Sequence, residues 1–352
     1  MANTVNLTKR QQYILQVVEQ LEEAQTNRIL EKVAENFDKS SRITIIRDLN
    51  FLKSHKFIKQ YGKGRSIYYK TNIHPFEKAF DMKAYFEIPP DSRIIKSEKL
   101  TFTDFQKWAD ILTEKEQKNL ASLNKNYQKR IKSYTPGQIK RELERITIEF
   151  SWKSSHIEGN TYTLLDTERL IKEHKEAEGK THQEALMILN HKTALEYVWN
   201  HAAHYKTLDL KKIEEIHALI SKDLGIVKGL RKRPVGIVGT AYKPYDNHYQ
   251  IREAVESLCK LLNKLKNPFL KALTAVAGLS YIQPFEDGNK RTSRLLGNAI
   301  LLAYNYCPIS YRSVEEIEYK KAIIVFYEQH SLVFFKELFI EQYQFAAKNY
   351  FQ

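Results

Sequence analysis

The sequence predicts a mainly α-helical protein with a small α+β module at its N-terminal end. Three observations carry this. From about residue 139 onward, apolar residues recur at helical spacing in one stretch after another, interrupted by a single segment, 231–245, rich in glycine, proline and β-branched residues. Residues 7–72 hold three short helical patterns and then two β-patterned runs around Gly62-Lys63-Gly64. Nine Lys/Arg stand against one acid, Asp48, between Lys39 and Lys70, so most of the formal charge of +14 sits in that module. A chain of 352 residues is long enough for two or three domains with a sizeable core.

Taken in order, Ile14, Val17, Val18 and Leu21 mark a first helix over 7–21. Thr26 opens a second, with Ile29, Leu30 and Val33. Ser40 or Ser41 opens a third, with Ile43, Ile46, Leu49 and Leu52 on its apolar side. Phe57–Tyr61 and Ser66–Lys70 read as two strands joined by the glycine turn. Together they resemble a winged helix-turn-helix domain, expected over residues 1–72. That resemblance implies double-stranded DNA as a partner, with the third helix in the major groove. Arg42 and Arg47 would reach phosphates or base edges, with Thr44 beside them, while Lys63 and Arg65 of the wing would meet the backbone. A protein-docking module, or a basic face that is merely solvated, is the alternative. Binding to DNA would fall steeply with salt.

Residues 73–138 read as a linker and helical connector: short turns around His74-Pro-Phe76 and Pro89-Pro90-Asp91, then one long charged helix from Trp108 to Lys132. Thr135-Pro-Gly-Gln138 is a helix start, with proline at the first helical position. Helices are predicted over 139–155, 164–175, 182–202, 210–224, 251–265, 268–281, 289–304, 314–330 and 333–350. Arg231 to Tyr245 reads as a short β-hairpin among them.

The densest chemistry lies at Gln283-Pro-Phe-Glu-Asp-Gly-Asn-Lys-Arg-Thr-Ser-Arg294, a charged turn between two apolar helices. Gly288, Asn289 and Lys290 stand where a loop enters a helix, and free N–H groups at a helix start form an anion site. Gly288 lets the backbone turn sharply and approach a ligand. Arg291 and Arg294, three apart, share a helix face and suit phosphate oxygens. Asp287 is a hard oxygen ligand for Mg²⁺. The plain alternative is a solvated helix start with a capping Asp and surface arginines. Upstream, Ser154 and Glu158 are four apart on one helix face, and Gly159 is a helix stop.

These residues resemble the Fic family, whose motif is His-x-Phe-x-(Asp/Glu)-Gly-Asn-(Gly/Lys)-Arg-x-x-Arg. Phe285, Asp287, Gly288, Asn289, Lys290, Arg291 and Arg294 fall in register, and Ser154-Ser-His-Ile-Glu158-Gly159 matches the family's inhibitory motif. The resemblance covers about 139–352. It implies a Fic-type helical core that transfers AMP from Mg-ATP to a hydroxyl of a target protein, possibly including itself. By that resemblance Asp287 binds Mg²⁺, Asn289 and nearby backbone form the anion hole, Arg291 and Arg294 hold the outer phosphates, and Glu158 pairs with Arg294 in the γ-phosphate site. The hairpin would be a flap whose edge, Val238, Gly239 and Thr240, takes a target segment as an added strand. Lys290 also occurs in Fic-like phosphotransferases, but those lack the second arginine present here as Arg294.

Gln283 stands at the position of the family's general-base histidine. Glutamine has no useful basicity, and loss of a general base typically costs about 10²–10⁴ in rate. His156, His217 and His248 are the histidines that could approach in its stead. Two readings follow: a Fic-type adenylyltransferase with weakened catalysis, restrained by Glu158 and joined to a DNA-binding domain, or a catalytically inactive relative acting as a nucleotide-responsive transcriptional regulator. No run reaches the ~18–20 apolar residues of a membrane span, the N-terminus lacks a signal peptide's apolar region, and Cys259 and Cys307 lack metal spacing. A reduced, cytoplasmic protein is expected. Abundant Lys, Tyr, Asn and Ile suggest an AT-rich bacterial source, and a homodimer is left open.

Overall fold

In the computed structural model the chain divides into two compact units, residues 1–78 and 79–352. The structure describes residues 7–352 apart from 22, 38, 39, 56, 73 and 74; the side chains of residues 65 and 75 also lie outside the description. Among the described residues no helix is long and apolar enough to cross a membrane.

In the first unit, α1 (Lys9–Gln20) starts at Thr8, which forms a capping box with Gln11. It is followed by β1 (Ala24–Gln25), α2 (Thr26–Asn36), α3 (Arg42–Ser54), β2 (Ile58–Tyr61) and β3 (Tyr68–Thr71). The three strands form an antiparallel sheet in the order β1-β3-β2, with Ala24 opposite Tyr69 and Tyr61 opposite Tyr68. Ile14, Val18, Ile29, Val33, Ile45, Leu49 and Leu52 fill its core. Ile43 and Ile46, expected on the apolar side of α3, are instead 64% and 37% exposed. The run Ile43-Thr-Ile-Ile46 offers two helical registers. The helix takes the one that buries Ile45 and turns Asp48 inward, where Arg10 Nε (2.5 Å) and Gln11 Nε2 (3.0 Å) donate to its carboxylate. A two-residue strand such as β1 is too short to leave a period in the sequence.

The second unit begins with α4 (Met82–Glu87), α5 (Phe105–Ala109) and α6 (Glu114–Lys132). The single helix expected from Trp108 to Lys132 is therefore two. Thr113 breaks it by capping α6, its hydroxyl accepting from the Glu116 N–H and Glu116 reaching back to the Thr113 N–H. Then come α7 (Pro136–His156), α8 (Leu164–Glu173), α9 (His182–Asn200), α10 (Leu210–Ile220), α11 (His248–Lys264), α12 (Pro268–Ile282), α13 (Asn289–Ala303), α14 (Glu316–Gln329) and α15 (Val333–Asn349). Every residue of α12 from Phe269 to Ile282 is buried, and α13 packs along it. The two approach closely: a Cβ on Gly297 would stand 2.6 Å from Val276 Cγ2. The junction between these two buried helices carries the densest chemistry.

No strand forms over Arg231–Tyr245, which is an extended loop with a turn at Val238-Gly239. The segment is therefore not the β-hairpin that its composition predicts. Pro234 and Pro244 remove ladder donors. Side chains take the carbonyls instead: Arg93 donates to Gly239, Lys99 to Lys243, and Arg231 to Arg233 (2.8 Å) and Tyr245.

Candidate active site

The site starts where α12 ends. Gln283 closes the helix in the left-handed conformation (φ 50°, ψ 59°), its N–H donating to the Leu279 carbonyl. Its side chain is buried, and Nε2 donates back to the Ser280 carbonyl at 2.6 Å. The turn that follows is held from several sides. Arg231 Nε donates to the Gln283 carbonyl (2.7 Å) and its N–H to the Pro284 carbonyl (2.9 Å). Asn289 closes a two-way bridge with the Phe285 main chain, both bonds 2.8 Å. The Phe285 ring stacks on His217, centroids 3.7 Å apart, and His217 Nε2 lies 3.0 Å from the Asp287 carbonyl. That partner is an acceptor, so Nε2 carries the proton. Nδ1 of His217 is buried without a partner, and burial pushes the imidazole down to about 4, so it is neutral near pH 7. Gly288 adopts φ 75° and opens α13 without a side-chain cap, which leaves the first N–H groups of that helix to another acceptor.

Two arginines project from the first turns of α13. Arg291 is buried; Nη2 donates to Asp287 Oδ2 (2.9 Å), while Nη1 is buried with no partner. Arg294 is fully buried with all its nitrogens engaged: Nη1 to Glu158 Oε1 (2.8 Å), Nε to Ser154 Oγ (2.9 Å) and Nη2 to the Ser154 carbonyl (2.7 Å). Lys290 Nζ stands 3.5 Å from the other Glu158 oxygen. Burial would raise the Glu158 carboxyl, but Arg294 and Lys290 outweigh it and hold it below the ordinary range. Ser154 serves Arg294 as an acceptor because its hydroxyl donates to His191 Nε2 (3.0 Å), whose Nδ1–H is held by the Met187 carbonyl (2.8 Å). Burial pushes His191 down to about 3, which keeps it the neutral acceptor this arrangement needs. Gly159, at φ 98°, ends the turn after α7 that delivers Glu158. Ser154, on α7, and Glu158, in the turn beyond it, thus meet the same arginine. His191 and Arg231 have no motif around them, and sequence reasoning missed both.

The model of the Fic/DOC family matches residues 207–301, which span the whole turn and both arginines. The chain carries a Fic/DOC family domain. Curated relatives include the protein adenylyltransferase Fic of Drosophila willistoni, 27% identical over 208 residues, covering 58% of this chain and 42% of that protein. The protein of the same name from Nematostella vectensis is 28% identical over 186 residues, covering 51% of this chain and 43% of its own length. The chain thus aligns with less than half the length of these relatives. Among solved structures, Fic-1 (residues 134–508) of Caenorhabditis elegans superposes with a TM-score of 0.58 at 20% identity, covering 67% of this chain and 71% of that one. A Fic domain-containing signalling protein of Bacteroides thetaiotaomicron gives 0.54 at 23% identity, covering 66% and 92%. The structural likeness establishes a shared fold.

Around the Fic domain's turn, His217 is the candidate histidine that the fold brings to the site. His156 meets Glu316 (2.9 Å) and the Asn160 carbonyl, and His248 meets the Arg231 carbonyl. Asp287 keeps a side chain 70% exposed. No group of three or more His, Cys, Asp or Glu side chains suited to a metal occurs among the described residues. A cation here would therefore take Asp287 together with oxygens of a substrate. Val238 is 97% exposed at the tip of the 231–245 loop. Behind it, Thr240 Oγ1 donates to Glu328 (2.5 Å), and Glu328 is also held by Arg93 (3.1 Å) and the Tyr85 hydroxyl (2.6 Å). In the first unit Arg42 and Arg47 are exposed on α3, Thr44 Oγ1 lies 2.9 Å from Ser41 Oγ, and Lys63 is exposed in the β2–β3 turn. The side chain of Arg65 lies outside the described residues.

Proposed function

We propose that the Fic domain transfers AMP from Mg-ATP to a Ser, Thr or Tyr hydroxyl of a protein, that Glu158 restrains this reaction, and that the first unit is a winged helix-turn-helix domain that binds double-stranded DNA. The chain itself is among the protein targets of this reading, and a cytoplasmic setting fits it. One observation carries the catalytic part. Two buried arginines open α13; one holds a donor, Arg291 Nη1, that nothing in the protein satisfies, and the other is neutralised by the Glu158 carboxylate from the turn after α7. Buried guanidinium groups without full partners are costly. A polyphosphate supplies the missing acceptors in the bidentate geometry that arginine favours. The name shared by the curated relatives supplies the reaction type.

In this mechanism Arg291 and the first N–H groups of α13 hold the phosphate chain. Arg294 joins them once Glu158 has left it. Asp287 would hold Mg²⁺, which neutralises phosphate charge when bound. The target's hydroxyl oxygen forms a bond to the α-phosphorus, the bond from that phosphorus to its bridging oxygen breaks, and pyrophosphate leaves with the electron pair. Gln283 can orient the hydroxyl but cannot take its proton, which passes to water or to a phosphate oxygen. Positioning and electrostatics, which contribute a large share of phosphoryl-transfer catalysis, do not depend on a base.

Gln283 also favours a second reading. Its amide N–H is already committed to Ser280. Without a base the domain would bind nucleotide and signal to the DNA-binding unit without transfer. Labelled ATP separates the two. Transfer of label to the protein by Glu158→Gly, absent in Glu158→Gly/Arg294→Ala, supports the enzyme. Nucleotide binding without transfer, coupled to a change in DNA affinity, supports the regulator.

A further inference from the structure

The outer face of α3 combines two properties that seldom occur together. It is basic, with Arg42 and Arg47 exposed, and its one acid, Asp48, is turned into the core and bonded to Arg10 and Gln11. It is also apolar: Ile43 and Ile46, three residues apart and so neighbours on one face, are 64% and 37% exposed. Lys53 Nζ donates to Gln60 Oε1 (3.0 Å), which ties the end of α3 to β2, where the exposed Lys59 and the nearby Lys63 extend the positive charge. A face with cations and no carboxylate selects a polyanion. Phosphates alone give two exposed isoleucines nothing to do. In duplex DNA the apolar groups that a helix meets are the thymine C5 methyl groups in the major groove. Isoleucines about 5–6 Å apart span one to two base-pair steps of about 3.4 Å.

We infer that Ile43 and Ile46 are specificity-determining residues that contact thymine methyl groups in the major groove, so that the protein selects duplexes with thymines at neighbouring steps. The inference rests on the reading of the first unit as a DNA-binding domain. Arg42 and Arg47 supply sequence-independent affinity to phosphates, and the isoleucines supply the discrimination.

The test compares binding of the 352-residue chain to poly(dA-dT) and to poly(dA-dU), which differ by the thymine methyl group. The expected result is tighter binding to poly(dA-dT), by about fourfold for each methyl group buried. Ile43→Ser/Ile46→Ser should erase that preference while leaving the salt slope unchanged, and a matched circular dichroism spectrum and melting midpoint would show that the variant folds. Arg47→Ala should do the reverse, lowering the salt slope by about 1 and keeping the preference. Equal affinity for the two polymers, with binding intact, overturns the inference and leaves the DNA-binding reading standing. Failure to bind any duplex at low salt overturns both. Loss of self-association in Ile43→Ser/Ile46→Ser, with duplex binding unchanged, also overturns it and assigns the isoleucines to a protein interface.

Discussion

Arg294 is the residue on which the proposed control turns. Each of its three guanidinium nitrogens donates to Ser154 or Glu158, and burial is offset by the Glu158 charge. Removing one partner of a desolvated pair leaves the other charge uncompensated, at a cost on the order of 3 kcal/mol. Glu158→Gly should therefore melt earlier than the parent, and saturating Mg-ATP should raise its melting midpoint more than it raises the parent's, because phosphate replaces the carboxylate. Equal ATP-induced shifts in a thermal-shift assay would sink this account. The folded-state pKa of Glu158 is depressed, so its contribution is fully present above the ordinary carboxyl value of about 4.3 and is lost as pH falls through the lower folded value. Gln283→His should raise the single-turnover transfer rate by about 10²–10⁴, the range of a general base. A rate equal to that of the parent would mean that proton abstraction is not what limits the reaction.

At the scale of elements, the candidate-site turn joins α12 to α13, and the 231–245 loop beside it is fastened from outside the motif. Arg93 and Glu328 form a buried ion pair that also binds Gly239 and Thr240 of the loop. Arg93→Ala strands the buried Glu328 carboxylate and should cost about 3–5 kcal/mol. It should also make the Val238 tip more sensitive to limited proteolysis; an unchanged digestion rate there would show that the loop holds itself. Much of this scale was legible in the sequence. The α12–turn–α13 unit shows as two apolar runs flanking a charged glycine turn, whereas the spacing of Ser154 and Glu158 predicts one helix face and α7 ends at His156, so that Glu158 reaches Arg294 from the turn beyond it. The 231–245 segment reads as a hairpin because glycines, prolines and β-branched residues mark turns and extended backbone alike; its carbonyls go to the side chains of Arg93 and Lys99, distant in sequence, and of Arg231 at its own start, and no ladder forms. The break at Asp110–Thr113 followed from a capping box within a charged run, where helical periodicity is weak on both sides. In α3 the error was one of register, and Asp48, drawn inward by Arg10 and Gln11, settled it.

On the scale of the whole molecule, three buried histidines in the second unit set a pH limit. Burial pushes His217 and His330 down to about 4 and His191 to about 3, against 6.5 for the free side chain. The unfolded chain therefore binds protons between those values that the native state refuses. Stability rises with pH across that range, is fully present above about 6.5, and falls as pH drops towards 4. At pH 5 each histidine should cost about 2 kcal/mol relative to neutral pH. The melting midpoint should decline between pH 6.5 and 5, and His330→Gln should flatten the decline; a midpoint constant across that range would contradict the burial argument.

The most direct test of the central claim is the intact mass of Glu158→Gly after incubation with Mg-ATP, with nucleotide binding measured calorimetrically in the same sample. A mass gain of one or more adenylyl groups, absent when Arg294 is also replaced by Ala, is the predicted result. Bound ATP with no gain in mass, either on the protein itself or on the proteins of an added lysate, would contradict the claim that this site transfers AMP and that Glu158 restrains it.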